Sequence, residues 1–204
     1  MKRPIPVLSP MKRFLLIAAV ALAAALPALA QPAKAIFASG CFWCTESDLE
    51  KLPGVISAVS GYTGGHVKSP SYEQVSEGGT GHREAVEITY DPTKITYAQL
   101  LDAYWHDTDP FDNAGQFCDK GSQYRSAIFF RDAEQKRLAE ESKAALEKRF
   151  GRKIVTEVLP AGPFFPAENY HQDYAKKNPL RYHFYRFNCG RDQRLESIWG
   201  KAPH

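Results

Sequence analysis

Between Ala35 and Phe130 the hydrophobic pattern changes period in a fixed order, and that order limits the fold more than any other feature of the chain. "AIFASG" (35–40) is a short apolar run closed by glycine, which predicts a strand. "CFWCTESDLEKLPG" follows with acids in its early turns and Pro53-Gly54 as its stop, which predicts a helix. "VISAVSGYTGG" begins as a strand and dissolves into glycines. "REAVEITYDP" sets Ala85, Glu87 and Thr89 against Val86, Ile88 and Tyr90, the alternation of a half-buried strand. Thr96 then caps a helix on which Leu100, Leu101, Tyr104 and Trp105 recur at helical spacing, and "RSAIFF" is again strand-like. The resulting β-α-β-β-α-β order is the split βαβ, ferredoxin-like arrangement. A further helix follows, from an Asp132 cap to a closing Gly151, with a further strand in "KIVTEVLP". The expected fold class is therefore α+β: a two-layer sandwich with a ferredoxin-like core, an extra helix and strand, and an irregular C-terminal tail, because "FYRFNCGRDQRLESIWGKAPH" has no firm period.

The first 30 residues do not belong to that pattern. Lys12 and Arg13 precede "FLLIAAVALAAALPALA", an apolar run the size of a signal-peptide core and its cleavage region, closing on Ala28-Leu29-Ala30. A membrane span calls for about 20 apolar residues and a different C-terminal flank. The expectation is a signal peptide over 1–30, with Met11 as the better start, and a single catalytic domain over 31–204. Cleavage removes Lys2, Arg3, Lys12 and Arg13 and no acid, so the formal charge falls from +3 to −1. The mature chain then has no electrostatic footprint for nucleic acid. No stable membrane insertion is expected after cleavage. All four cysteines survive into an exported, periplasmic compartment where disulfides persist.

The chemistry gathers at Gly40-Cys41-Phe42-Trp43-Cys44, at the strand-to-helix junction. A cysteine in the first turn faces unpaired backbone N–H groups and the positive end of the helix dipole, both of which stabilise a thiolate. Cys41 therefore has a physical reason to be nucleophilic, whereas Cys44, one turn in, shares less of the dipole. A structural Cys41–Cys44 bridge or half of a zinc site are the plainer readings. Zinc needs four ligands, and the remaining Cys118 and Cys189 are single and distant, with no second C-x-x-C. Two loops, 61–82 and 107–124, are long for a compact domain, as functional loops often are. They and the strand entry beside them offer Tyr72, Glu84, Asp119 and Tyr124 to a small polar ligand. Each of these alone is weak, since a lone Glu at a strand edge is usually solvated and a lone Tyr is usually core.

Taken together the segments are specific. "GCFWC", "GVISAVSGYTGG", "PSYEQVSEGGTGHREAVEITYDP", "YWHDTDP", "DKGSQYRSAIF" and "FFPAENYHQDYAKKNP" occur in the order found in A-type peptide-methionine sulfoxide reductases, which the chain resembles almost end to end beyond the leader. The resemblance implies reduction of the S-epimer of methionine sulfoxide, free or in oxidised proteins, through a Cys41 sulfenic acid. It implies Glu84 as the acid that protonates the sulfoxide oxygen, Tyr72 and Tyr124 as hydrogen-bond donors to that oxygen, and Phe42 and Trp43 as the receptor for the S-methyl group. Asp119 is implied as a pocket residue that orients its neighbours, and His171 is divided between a role there and a structural one.

Recycling departs from the pattern. Cys44 stands where many relatives have glycine, and the tail lacks their glycine-rich character. Cys189 is the expected resolving cysteine, on a segment free to move, with Cys44 and Cys118 as alternatives. The implied reductant is a thioredoxin-like protein; no metal or organic cofactor is implied, and a monomer is expected. Two other classes compete: a thioredoxin-like disulfide exchanger using Cys41 and Cys44, and a non-enzymatic peptide-binding module using the aromatic loops. The first has a different element order, and Phe-Trp is bulky for a disulfide-exchange surface.

Overall fold

The computed structural model describes residues 31–201, so the expected signal peptide lies outside the described residues. Four strands build the core of one sheet: β1 (Ala33–Ala38), β2 (Val55–Thr63), β3 (Arg83–Tyr90) and β6 (Ala127–Phe130). They lie in the order β6-β1-β3-β2, antiparallel throughout, which is the ferredoxin-like order expected from the sequence. β7 (Glu157–Pro160) adds parallel to β6 after the 18-residue helix α4 (Ala133–Phe150), and β8 (Phe165–Pro166) covers the β2 edge. A two-stranded ribbon, β4 (Gly115–Gln116) with β5 (Asp119–Lys120), stands apart from the sheet.

Helices α1 (Phe42–Leu49), α3 (Tyr97–His106) and α4 pack on one face. Their core with Phe37, Val86 and Ile88 includes the Leu100, Leu101 and Tyr104 stripe read from the sequence, all at most 1% exposed. Capping is local and legible. Thr96 accepts from the Gln99 N–H in a capping box, Asp132 accepts from the Gln135 N–H, and Gly151 ends α4 in the left-handed conformation at φ 59°. β3 alternates as expected from Val86 to Tyr90, with Glu87 and Thr89 half-buried between buried neighbours, but its first three residues are buried on both faces, because Ala85 and its neighbours Ile36, Ala38, Ala127 and Phe129 are covered on the second face by Leu159, Ala161 and Phe164. The long 61–82 loop also contains a helix, α2 (Tyr72–Glu77), opened by a Ser71–Gln74 capping box.

The C-terminal tail is helical, not irregular. After the single turn α5 (Tyr174–Lys177), α6 (Pro179–Asn188) starts with proline in its first turn, and α7 (Arg191–Trp199) follows a left-handed Gly190 at φ 67°. Its period escaped notice because α6 is inverted in polarity. Leu180, Phe184 and Phe187 are 85%, 73% and 75% exposed, while Tyr182, Tyr185 and Arg186 face inward. α7 likewise enters the protein through a charged residue, Arg191, which is 2% exposed. A reading that equates apolar with inside finds no face on such helices.

Candidate active site

β1 ends at Ala38 and the chain turns at Gly40, φ 79°, before Cys41 caps α1. A Cβ on Gly40 would lie 2.5 Å from the Gln116 Cβ, so only glycine lets the junction pass under the β4 strand. Cys41 supplies its carbonyl to the first turn, accepting from Cys44 N–H at 3.2 Å. Its sulfur is buried, with the residue 7% exposed.

Glu84 enters from β3, opposite Tyr62 of β2, and is 3% exposed. Its Oε2 accepts from the Phe42 N–H at 3.0 Å, so the first free amide of α1 serves the carboxyl group. Burial, reinforced by Asp119 and Cys44, lifts the Glu84 carboxyl from its ordinary 4.5 to about 8, against the opposing Phe42 bond. Glu84 is therefore a neutral acid at pH 7. Cys41 differs from the expectation of a resting thiolate. Burial pushes its thiol well up, and the adjacent Cys44 sulfur adds to the shift. Glu84 occupies the first amide of α1 that would otherwise stabilise a thiolate. Cys44 carries the lowered thiol of the pair, at about 7, held down by the hydrogen bond from Cys41 and then by Arg191 and Arg186.

A cavity of about 60 Å³ is lined by Cys41, Phe42, Trp43, Tyr72, Glu84, Asp119 and Tyr124. All the substrate-facing residues expected from the sequence therefore converge. Tyr72 sits in the first turn of α2, where its N–H donates to Glu168 Oε1 at 2.8 Å; the other carboxylate oxygen accepts from Tyr62 OH at 2.8 Å. Glu168 thus pins the Tyr72 loop to β2, a role the sequence reading did not assign. Tyr124 ends a 3₁₀ turn (Ser122–Tyr124) whose Gln123 side chain donates to Ser76 O. Burial raises both hydroxyls, Tyr72 to about 12, so both remain donors.

Tyr185 of α6 is the eighth lining residue, and the sequence pattern of its segment, with apolar residues outward, carries no signal for it. Its hydroxyl donates to Asp119, which stands on the same wall. Trp43 is fixed on three sides. Its indole stacks on Tyr174 at 3.7 Å, meets Tyr185 edge-on, and donates from Nε1 to His171 Nδ1 at 2.9 Å. His171 lies behind the aromatic wall, 1% exposed, and does not line the cavity. A separate groove of about 770 Å³ between α1, α3 and α7 contains none of the four cysteines.

Cys118 and Cys189 form a disulfide, with Cα atoms 4.9 Å apart, and Cys41 and Cys44 are free and buried. Cys189 is the C-cap of α6, four residues after Tyr185; Cys118 precedes Asp119 and is exposed. The bridge therefore joins the segments that carry two of the lining residues, Asp119 and Tyr185. The segment carrying Cys189 is not the loose tail expected from the sequence, since helices hold it on both sides.

This constellation coincides with a clear kinship. The family model described as peptide methionine sulfoxide reductase matches residues 33–203. Peptide methionine sulfoxide reductase MsrA 2 of Caulobacter vibrioides is 50% identical over 196 residues, covering 93% of this chain and all of that protein. The MsrA of Bacillus licheniformis is 51% identical over 169 residues, 82% of this chain and 93% of its own. Among solved structures, Mxr1 from Saccharomyces cerevisiae in reduced form superposes with a TM-score of 0.70 at 32% identity, covering 73% of this chain and 87% of that one. Methionine sulfoxide reductase A of Corynebacterium diphtheriae gives 0.67 at 34% identity, covering 73% and 76%. With its sheet order, its cysteine at the start of α1 and its buried acid beside it, this chain belongs to the peptide methionine sulfoxide reductase family.

Proposed function

We propose that this reductase is specific for the S-epimer of methionine sulfoxide and works by nucleophilic attack of Cys41, with Glu84 as general acid. The observation that carries the reading is Glu84 itself: a carboxyl buried in the cavity beside Cys41 and kept neutral at physiological pH. Cys41 sulfur attacks the sulfoxide sulfur while Glu84 gives its proton to the sulfoxide oxygen. The proton released by the Cys41 thiol restores Glu84. Tyr72 and Tyr124 donate to the oxygen as charge develops on it. Phe42 and Trp43 receive the S-methyl group. Transfer of the oxygen leaves Cys41 as a sulfenic acid and releases methionine.

Regeneration then runs outward. The Cys189 thiolate attacks the Cys41 sulfur, the S–O bond breaks, and hydroxide leaves as water with one proton. Cys118 attacks Cys189, freeing the Cys41 thiol and leaving the Cys118–Cys189 bridge. The exposure of Cys118 supports that bridge as the one a thioredoxin-like dithiol reduces. Incubation with separate S- and R-methionine sulfoxide and dithiothreitol tests the specificity. Methionine is expected from the S-epimer alone, and comparable turnover of both epimers overturns it.

We also propose that the enzyme is exported to the periplasm as a single catalytic domain starting at Gln31. The n-, h- and cleavage-region order of residues 11–30 supports this. Among the described residues no helix is long and apolar enough to cross a membrane. Intact mass of the protein recovered from its native host is expected to correspond to Gln31 at the N-terminus; a mass that retains the apolar run rejects cleavage.

A further inference from the structure

Arg191 is the largest fully buried side chain among the described residues, and the sulfoxide chemistry above does not use it. It stands at the first position of α7, two residues after Cys189, where the left-handed Gly190 turns the chain inward. Its Nη1 donates to Ser39 O at 3.1 Å, and Ser39 lies two residues before Cys41. Nη2 donates to Asp107 O at 2.7 Å and to Ser39 Oγ at 3.2 Å, and Nε to Asp107 Oδ1 at 3.3 Å, with Asp107 Oδ2 2.8 Å from Nη2. The guanidinium Cζ lies over the Phe117 ring, 4.4 Å from its centre, and Phe117 directly precedes Cys118. Phe117 itself is held at φ 53°, a left-handed conformation uncommon for a residue with a side chain.

One planar cation therefore meets the chain beside each of three cysteines: it is covalently linked to the Cys189 segment, bonded to the strand end that carries Cys41, and placed over the ring of the residue before Cys118. We propose that Arg191 is the positioning residue of the disulfide relay, holding the Cys189 and Cys118 segments in register with Cys41. The geometry suits arginine and not lysine. The three guanidinium nitrogens donate at once to the backbone carbonyls and side chains of Ser39 and Asp107 while the Cζ lies over an aromatic ring, an arrangement a single ammonium cannot reproduce. The interaction is also fully desolvated, so removing it leaves Asp107 without its partner in a buried place.

The proposal rests on the relay described under the proposed function, and the test separates the two. Reduced full-length enzyme is mixed with excess S-methionine sulfoxide without reductant, quenched at intervals with an alkylating agent, and assayed for methionine and for the Cys118–Cys189 peptide pair. In Arg191→Lys and Arg191→Met the methionine burst is expected to stay within about twofold of wild type. Bridge formation is expected to slow about tenfold or more in the Met variant and by less in the Lys variant. Equal rates of bridge formation in all three overturn the proposal. So does slowing of the methionine burst as large as that of the bridge, which marks a structural role only. Phe117→Leu keeps every Arg191 hydrogen bond and removes the ring, and its bridge formation is expected to slow several-fold. Should the Arg191 variants fail to fold, wild-type behaviour of Phe117→Leu overturns the proposal by itself. If wild-type enzyme turns over without forming the Cys118–Cys189 pair, the relay reading has failed at its own step.

Discussion

Cys41→Ser is expected to release no methionine above background in a single turnover, even with excess S-methionine sulfoxide and a small dithiol. The change in shape is small, because serine keeps the volume and the Cβ at the cap of α1, and serine is a favoured helix cap. The chemistry is lost for two reasons. The hydroxyl is a far weaker nucleophile towards sulfur than a thiol set beside a buried neutral acid. In addition, the product of oxygen transfer would be a peroxide on serine in place of a sulfenic acid on cysteine, and no counterpart of the sulfenic oxidation state exists for the hydroxyl. Methionine formed at one equivalent per enzyme would remove Cys41 from the nucleophile's role. Cys44, the other free thiol beside the cavity wall at α1, would then be the candidate. A circular dichroism melt alongside the assay is expected to show a folded variant, which keeps the loss assigned to the sulfur.

The parts of this fold that could be read from the sequence are those where local rules and the tertiary structure agree. The alternation in β3, the Thr96 and Asp132 caps and the Leu100–Tyr104 stripe each state in a few residues what the core requires of them. Gly40 and Cys41 belong to this group, because a sharp strand-to-helix turn leaves its mark in adjacent residues. What was lost is what depends on distant partners. Tyr185 reaches the cavity and Arg191 reaches Ser39 because α6 and α7 turn polar and aromatic faces inward. Glu168 orders Tyr72 across 96 positions of chain. The protonation of Cys41 was misjudged for the same reason. The amide that should have stabilised its thiolate is taken by a carboxyl 42 residues away, and no spacing rule within α1 could reveal that.

Glu84→Gln is expected to slow the sulfoxide-reduction step by about 10²–10⁴, the range typical for loss of a general acid. Glutamine keeps the length and retains an oxygen that can accept from the Phe42 N–H, so the cavity wall stays in place while the transferable proton is gone. The pH profile distinguishes a lost acid from a disturbed pocket. Wild-type Glu84 is the neutral acid below about 8, so the single-turnover rate is expected to fall as pH rises through that value, and the residual rate of the Gln variant is expected to lack this limb. Wild-type stability depends on the same proton. The folded protein holds a proton on Glu84 up to about 8, whereas the unfolded chain releases it near the ordinary 4.5. Folding therefore takes up a proton across that window, and wild-type stability declines as pH rises through it. Glutamine has no proton to lose, so relative to wild type the variant is expected to melt progressively higher between pH 5 and pH 8. A Gln variant with an unchanged single-turnover rate at neutral pH would show that the proton comes from elsewhere, with the Tyr72, Tyr124 and Tyr185 hydroxyls the remaining donors on the cavity wall. A slow variant that melts lower than wild type at pH 8 would instead mean that the carboxyl is needed to hold α1 against β3.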